Sequence, residues 1–249
     1  MASYRISSFR RAVWRHYKAH GRRLPWRATR DPYRILVSEI MLQQTQVERV
    51  LPLYKKFIQK FPIAASLASA SLVSVLRMWQ GLGYNRRAKL LKSAAIELER
   101  GTRVEDLPGV GPYTARAVAA FAFNEDVVLV ETNIRTAVIH HFFSKREKVS
   151  DADIEKVLVR ALPRGKAREW YSALMDYGAH LKQSGIRLNA RSVHYKKQSK
   201  FSGSLREVRG AILRAILTRT SLTAVRRRFP DRFDRAYAAL RAEGLITSR

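Results

Sequence analysis

The 249-residue sequence contains no cysteine at all. That excludes disulfides, thiolate zinc sites and iron–sulfur clusters held by thiolates. Acidic residues are scarce too, 20 against 48 lysines and arginines, which leaves a formal charge of +28. No apolar run approaches the roughly 20 residues of a membrane span. Residues 1–15 lack the apolar centre of a secretory signal, so neither a membrane nor an export address is expected. No fixed-period repeat is visible, which argues against a solenoid. Six histidines are present, but none shows metal-ligand spacing. His140 and His141 are adjacent on a helical stretch and cannot face one ion. With Phe142 and Phe143 beside them they read as packing residues, and no metal site is expected.

What is present is a globular composition, 46% apolar, in a chain long enough for one large domain or two small ones. So large a positive excess points to a polyanion, most simply a nucleic acid. On charge alone a basic membrane-surface or ribosome-associated protein remains open. The excess is uneven: Lys182 to Arg249 holds 17 basic and 4 acidic residues. The first 181 residues are cationic as well, so both segments can meet phosphates.

Apolar periodicity predicts helices almost throughout. One runs from Val47 past Ile58 and closes at Phe61-Pro62. Others cover Leu72–Trp79, Ala88–Leu98, Thr114–Phe123, Thr132–Phe143, Asp153–Leu162 and Trp170–Leu181. The run Val127 to Val130 suits a strand but has no partner, and is read as a buried connection. From Lys182 to Gly203 the pattern lapses into basic and polar residues, a linker or arm. Leu205–Leu217, Ser221–Phe229 and Arg232–Glu243 then predict three short helices. They fit either a small helix-turn-helix or truncated winged helix, or a helical lid on the first domain. The expected division is 1–181, a linker 182–203, and a basic module 204–249.

Three clusters carry chemistry. Leu107-Pro108-Gly109-Val110-Gly111 leads into Pro112-Tyr113-Thr114-Ala115. The glycines permit a tight hairpin with unobstructed N–H groups, and the following helix turns its positive end to the same side, which suits a phosphate. A bare GxG is usually an ordinary turn, but Pro108 and the small-residue helix favour a helix-hairpin-helix, whose grip on the DNA backbone carries no sequence information. Ser38-Glu39-Ile40-Met41-Leu42-Gln43-Gln44-Thr45 places a carboxylate and two amides at the start of an apolar helix, Glu39 and Gln43 sharing a face. Taken alone, Ser38 is simply a cap and Glu39 a complement to the helix dipole. Val130-Glu131-Thr132-Asn133 sets a second acid at a helix start, again an ordinary cap by itself. Two such carboxylates can also divide acid and charge-stabilising work.

Together with Leu24-Pro25-Trp26-Arg27 and Trp79-Gln80-Gly81-Leu82-Gly83-Tyr84, these segments resemble the helix-hairpin-helix DNA glycosylase superfamily. Within it they resemble the adenine DNA glycosylase (MutY) family, from about Arg22 to Leu181. The resemblance implies an all-α, two-lobed helix-hairpin-helix glycosylase fold with a small C-terminal helical, winged-helix-like module. It makes Glu39 the acid that protonates adenine at N7. Glu131 occupies the place of an aspartate that stabilises the developing sugar cation, and the extra methylene is a departure that alters reach. Asn133 matches the asparagine beside that aspartate. Tyr113 stands where endonuclease III enzymes carry a Schiff-base lysine, which implies a monofunctional glycosylase. Arg22, Leu24, Trp26 and Arg27 match lining residues of the adenine pocket. Gln43 and Gln44 fall in the wedge region, and Tyr84 matches a tyrosine inserted beside the opposing damaged guanine. Leu107, Gly109, Val110, Gly111 and Thr114 form the backbone-binding hairpin.

Two departures are larger. The family follows an MDxGA helix with four cysteines around an iron–sulfur cluster. Here Met175-Asp176-Tyr177-Gly178-Ala179 is followed by Lys182 where the first cysteine belongs, so no cluster is expected and the basic Lys182 to Lys200 stretch takes over its contacts. The family's Nudix-like β domain, which recognises 8-oxoguanine, has in its place the helical segment from Phe201. The reading is therefore a monofunctional DNA glycosylase that flips adenine out of mispairs with 8-oxoguanine or guanine and hydrolyses its N-glycosidic bond. No cofactor is expected, save an alkali cation at the hairpin carbonyls. The partner is double-stranded DNA bearing a mismatched or damaged base, met by a monomer, in the cytoplasm and at the nucleoid if the host is prokaryotic. Two competitors remain: a thymine or uracil glycosylase for mispairs with guanine, and a catalytically silent DNA-binding homologue.

Overall fold

A computed structural model describes residues 2–193, 195 and 200–246. Among these residues the chain is helical, and its one extended pairing is a parallel bridge between Val149 and Ser192. The chain forms two compact units that do not follow chain order: Met1–Ile35 with Gly111–Lys197, and Leu36–Val110 with Gln198–Arg249. The segment 1–181 thus contributes to both units. Residues 194 and 196–199 of the linker and 247–249 of the module lie outside the described residues.

The first unit holds α1 (Ala2–His20), α7 (Pro112–Phe123), α8 (Thr132–Phe142), α9 (Asp151–Ala161) and α10 (Ala167–Gln183). In α1, Ile6, Phe9 and Val13 recur at helical spacing and are all buried. Phe9 sets its edge against Trp170 of α10, ring centroids 5.9 Å apart. α10 packs on α8, α1 and α7. Its approach to α8 demands a glycine, since a Cβ at Gly178 would lie 2.0 Å from the Asn133 carbonyl oxygen. α9 opens on a capping box in which Ser150 Oγ accepts the Asp153 N–H at 3.1 Å and Asp153 reaches back to the Ser150 N–H. The run Val127 to Val130 is a connection whose Leu129 is buried and whose three valines are half-buried against the core. The hydroxyl of Tyr171 donates to Val127 O at 2.8 Å and accepts from Leu129 N–H at 3.2 Å, doing the work of a missing strand partner. Burial pushes that phenol up to about 12.

α2 (Pro32–Leu42) begins in the first unit and ends in the second. The second unit continues with α3 (Val47–Lys60), α4 (Ala64–Ala68), α5 (Leu72–Met78), α6 (Arg86–Glu99), and the C-terminal α11 (Leu205–Leu217), α12 (Leu222–Arg228) and α13 (Pro230–Ala242). In α3 the buried Val50, Tyr54 and Phe57 lie on one face. The last three helices pack on one another, α11 and α13 burying Val208, Ile212, Phe233, Ala236 and Leu240. They also pack on the rest of their unit, α11 against α5, while Lys89 of α6 donates to Glu243 O at 2.8 Å. Among the described residues this module carries no wing strand, and its helices are seated on the second unit. No described helix is long and apolar enough to cross a membrane.

Candidate active site and DNA-backbone hairpin

In the first unit Glu131 is the N-cap of α8. Its Oε1 accepts the N–H groups of Asn133 and Ile134, each at 2.8 Å, and Oε2 lies 3.3 Å from Asn133 Nδ2. This is the cap that the sequence pattern indicates. Glu131 keeps some solvent exposure, yet protein surrounds the carboxyl closely enough that burial is the largest influence and pushes its pKa up. The two backbone bonds, Lys182 and Arg135 act in the opposite sense without winning. Beside it, Asn133 Oδ1 is buried and accepts no hydrogen bond. An unused acceptor in such a place costs about 1–3 kcal/mol, and a donor on a substrate or a water would relieve it. Tyr113, on the first turn of α7, lies within electrostatic reach of Arg135, whose guanidinium is bidentate to Asp151 at 2.8 and 2.7 Å. One small region thus holds Glu131, Asn133, Tyr113, Arg135 and Lys182.

Arg22, Leu24, Trp26 and Arg27 follow α1, with the short helical turn Pro25–Arg27 among them. Leu24 and Trp26 are buried. The two arginines converge on Asp176 of α10. Arg22 gives its N–H at 2.8 Å and its Nε at 2.6 Å, and Arg27 gives both terminal nitrogens at 2.8 Å. Burial alone would raise the Asp176 pKa, but the hydrogen bonds and charge of Arg27, then Arg22, hold it below the usual carboxylate range. With further bonds to Ser172 O and Arg22 O, the Arg27 guanidinium anchors the segment instead of presenting donors to a base. Asp176 is the aspartate of the MDxGA stretch, which explains why an acid belongs there.

In the second unit Glu39 and Ser38 are both buried, at 8% and 0% exposure. The expectation that they start a helix is wrong. α2 begins at Pro32, where the Asp31 carboxylate accepts the Tyr33 N–H at 2.9 Å, a cap followed by proline at the first helical position. Glu39 therefore sits in the last turns of α2, and Gln43, Gln44 and Thr45 form the bend after it. That end is closed by Arg87 of α6, which periodicity could not single out. Its guanidinium donates to Ile40 O at 2.7 Å, Met41 O at 3.2 Å and Gln43 O at 2.6 Å, and to Leu82 O and Gly83 O, each at 3.1 Å. One buried cation thus ties the glutamine bend to the Gly81–Tyr84 turn. Burial lowers its pKa to about 10, so it stays charged at neutral pH.

Both expected wedge residues have left-handed backbones, Gln44 at φ 54° and Tyr84 at φ 46°. Such strain at non-glycine residues persists where the surroundings over-determine it, and it clusters at functional sites. Tyr84 is 39% exposed and lies between two guanidinium groups, those of Arg87 and Arg206, each 5.6 Å from its ring centre. Arg206 of α11 also donates to the Tyr84 hydroxyl at 3.1 Å.

The hairpin is built as its glycines require. Val110 N–H closes on Leu107 O at 3.1 Å, Leu107 is buried, and Gly109 has φ 80°. A Cβ at Gly109 would meet Leu90 Cβ at 2.8 Å. Gly111 precedes Pro112 at the start of α7, and no side chain caps that end, leaving its positive pole to an outside anion. Thr114 is buried.

The residues present do not fit an iron–sulfur cluster. There is no thiolate in the sequence, and the stretch 186–191 just beyond α10 is held by ordinary contacts. Ile186 and Leu188 pack on the core of the first unit, Leu188–Arg191 makes a helical turn, and Val149 N–H donates to Arg191 O at 2.9 Å. Among the described residues no group of three or more His, Asp or Glu side chains could hold a metal. His141 Nε2 pairs with the Tyr177 hydroxyl at 2.8 Å, and burial lowers its pKa to about 4, so it is a neutral packing residue.

Residues 37–164 match the model of the HhH-GPD superfamily base excision DNA repair proteins. The chain belongs to this superfamily. An adenine DNA glycosylase of Mycolicibacterium smegmatis is 34% identical to this HhH-GPD protein, over 91% of this chain and 89% of the relative. An adenine DNA glycosylase of Mycobacterium tuberculosis is 40% identical over 70% of this chain and 61% of the relative. Among solved structures, a thermostable thymine-DNA glycosylase superposes with a TM-score of 0.62 at 28% identity, covering 71% of this chain and 87% of that one.

Proposed function

We propose that this DNA N-glycosylase hydrolyses the N-glycosidic bond of adenine mispaired with 8-oxoguanine or guanine in double-stranded DNA. The observation that carries the reading is the state of its two acids. Glu39 is buried at the end of α2 and Glu131 is held ready by two backbone N–H groups, in a chain similar to adenine DNA glycosylases over 91% of its length.

The chemistry follows from what each group can do. Adenine leaves poorly as an anion, so Glu39, in its acid form, protonates N7. The C1′–N9 bond then breaks and its electron pair stays on the base. The sugar cation left behind is stabilised by the Glu131 carboxylate. Water adds at C1′, its proton passes to Glu39, and an abasic site remains. Asn133, with its unused acceptor, orients the water or the sugar. Tyr113 cannot form an imine, so no strand-cleaving lyase step accompanies base release. Leu107 to Thr114 grips the backbone, while Gln44 and Tyr84 fill the gap left by the flipped base. No cofactor takes part; a cation bound at the hairpin carbonyls would serve the backbone grip. The protein acts as a monomer, at the chromosome of its host.

The structural likeness to a thymine-DNA glycosylase favours a second reading, excision of thymine or uracil opposite guanine. A panel of duplexes with A, T or U opposite G, C or 8-oxoguanine, cleaved with alkali after incubation, decides between them. Release of adenine alone is expected. Glu39→Gln is expected to remove about 10²-fold or more of the rate. Unchanged binding with no base released from any duplex by the wild type would leave only a DNA-binding role.

A further inference from the structure

We propose that a cationic hollow of the first unit, between α1 and the turn before α10, binds a nucleic-acid strand through its phosphates with one base stacked on Trp14. The hollow has a volume of about 550 Å³, within the range of small-ligand sites. Arg11, Trp14 and Arg15 line it from α1, and Arg164 and Lys166 face them from the turn. Arg11 and Arg15 are one helical turn apart and so share a face.

The wall is pre-formed. Lys166 N–H closes the turn on Pro163 O at 3.2 Å. Gly165, at φ 68°, donates its N–H to Asp126 at 2.9 Å, and its carbonyl accepts from Asn124 Nδ2 at 2.7 Å. Arg10 is committed to the fold, donating to Ala161 O at 2.8 Å and Arg160 O at 3.0 Å at the end of α9. The other four cations are exposed, and among the described residues no carboxylate pairs with any of them. Asp126, the acid bonded to the turn, already faces a backbone N–H. Four unpaired positive charges around a concave wall concentrate anions there.

The aromatic member selects among anions. Trp14 is half-buried and held in place by Trp170, 5.5 Å away, and by Tyr17, 6.3 Å away. Phosphates flanked by an indole suit a strand whose bases can leave the stack, as in single-strand binding sites. A free nucleotide offers the same chemistry on a smaller scale.

The test uses the whole chain and an oligothymidylate of about ten nucleotides, a length such sites cover, with deoxythymidine monophosphate as a second probe. Trp26, Trp79 and Trp170 are buried, and the part of the quenching that disappears in Trp14→Phe reports on Trp14. The triple variant Arg11→Ser, Arg15→Ser, Arg164→Ser changes exposed side chains and is expected to fold and melt like the wild type. Oligothymidylate should quench the wild type. In the variant its affinity should fall roughly tenfold or more, and the log–log salt slope should shrink by about 2, three contacts at about 0.7 each. Unchanged affinity and slope would overturn the site, and equal quenching by the mononucleotide would overturn the strand in favour of a free nucleotide. Adenine release from a short mispaired duplex scores the glycosylase reading separately.

Discussion

On the proposed mechanism single side chains do work that depends on their charge state, and Glu131 is the clearest case. A cation-stabilising carboxylate must be ionised, yet burial raises its pKa, and Lys182 is among the groups that oppose the rise. Single-turnover base release should therefore fall as pH drops through the raised pKa. Lys182→Met removes a favourable charge, so the acid limb of that profile should move to higher pH, with the rate on the alkaline side little changed. A profile superimposable on the wild type would mean that Lys182 does not bear on Glu131 in solution. Stability runs the other way for this group. With a folded pKa above the ordinary 4.5, its contribution is present below about pH 4.5 and is lost as pH rises through the folded value. A Glu131→Gln protein should thus gain on the wild type toward neutral pH. Where the family resemblance would put a metal-ligating cysteine, Lys182 stands as an electrostatic neighbour of Glu131.

At the scale of elements, the contacts that set the candidate site are close approaches between helices. Gly178 lets α10 touch α8 at Asn133, so Gly178→Ala must push the start of α8 away. A loss of about 3 kcal/mol is expected, read as a Tm lower by roughly 6–12 °C in a chain of this size. The C-terminal helices are equally engaged, through Arg206 on Tyr84. If Tyr84 meets the opposing base, Arg206→Ala should change the ratio of adenine release opposite 8-oxoguanine and opposite guanine by severalfold, while Arg206→Lys restores it only in part, lacking the planar fork. An unchanged ratio would confine Arg206 to holding α11. Much of this was legible beforehand. The helices α3 and α5 through α13 announce themselves by apolar spacing, and the hairpin by its glycines, whereas α4, five residues long, is too short to show a period. Glu131 was readable as a cap because caps are local. Arg87 and Asp176 were not, since a buried charge reveals its role only through distant partners, such as Ile40, 47 positions from Arg87, and Arg22, 154 positions from Asp176. The start of α2 was misplaced because Asp31-Pro32, the true cap, lies before the apolar run that attracts the eye.

For the molecule as a whole, the +28 charge sets how it meets DNA before any base is read. Both units are basic, and the interleaving of chain segments gives each a share of the charge found at the N- and C-terminal ends of the sequence. Much of the charge is unpaired, since 20 acids cannot neutralise 48 bases, and several acids are committed internally, as Asp176 is to Arg22 and Arg27. Unmodified duplex should consequently bind well at low salt, through counterion release and without regard to sequence. With about 6–10 phosphate contacts, affinity should drop by about 10³–10⁵ between 50 and 200 mM salt. The difference between mispaired and fully paired duplex should change far less, because base flipping and the Glu39 and Glu131 contacts release few counterions. Equilibrium titrations of both duplexes with Glu39→Gln protein, expected to bind while turning over about 10²-fold or more slowly, measure the two slopes directly. Parallel lines on a log–log plot are expected. Lines that converge as salt rises would show that the preference for a mispair is itself electrostatic, and would move the origin of specificity from the buried acids to the basic surface.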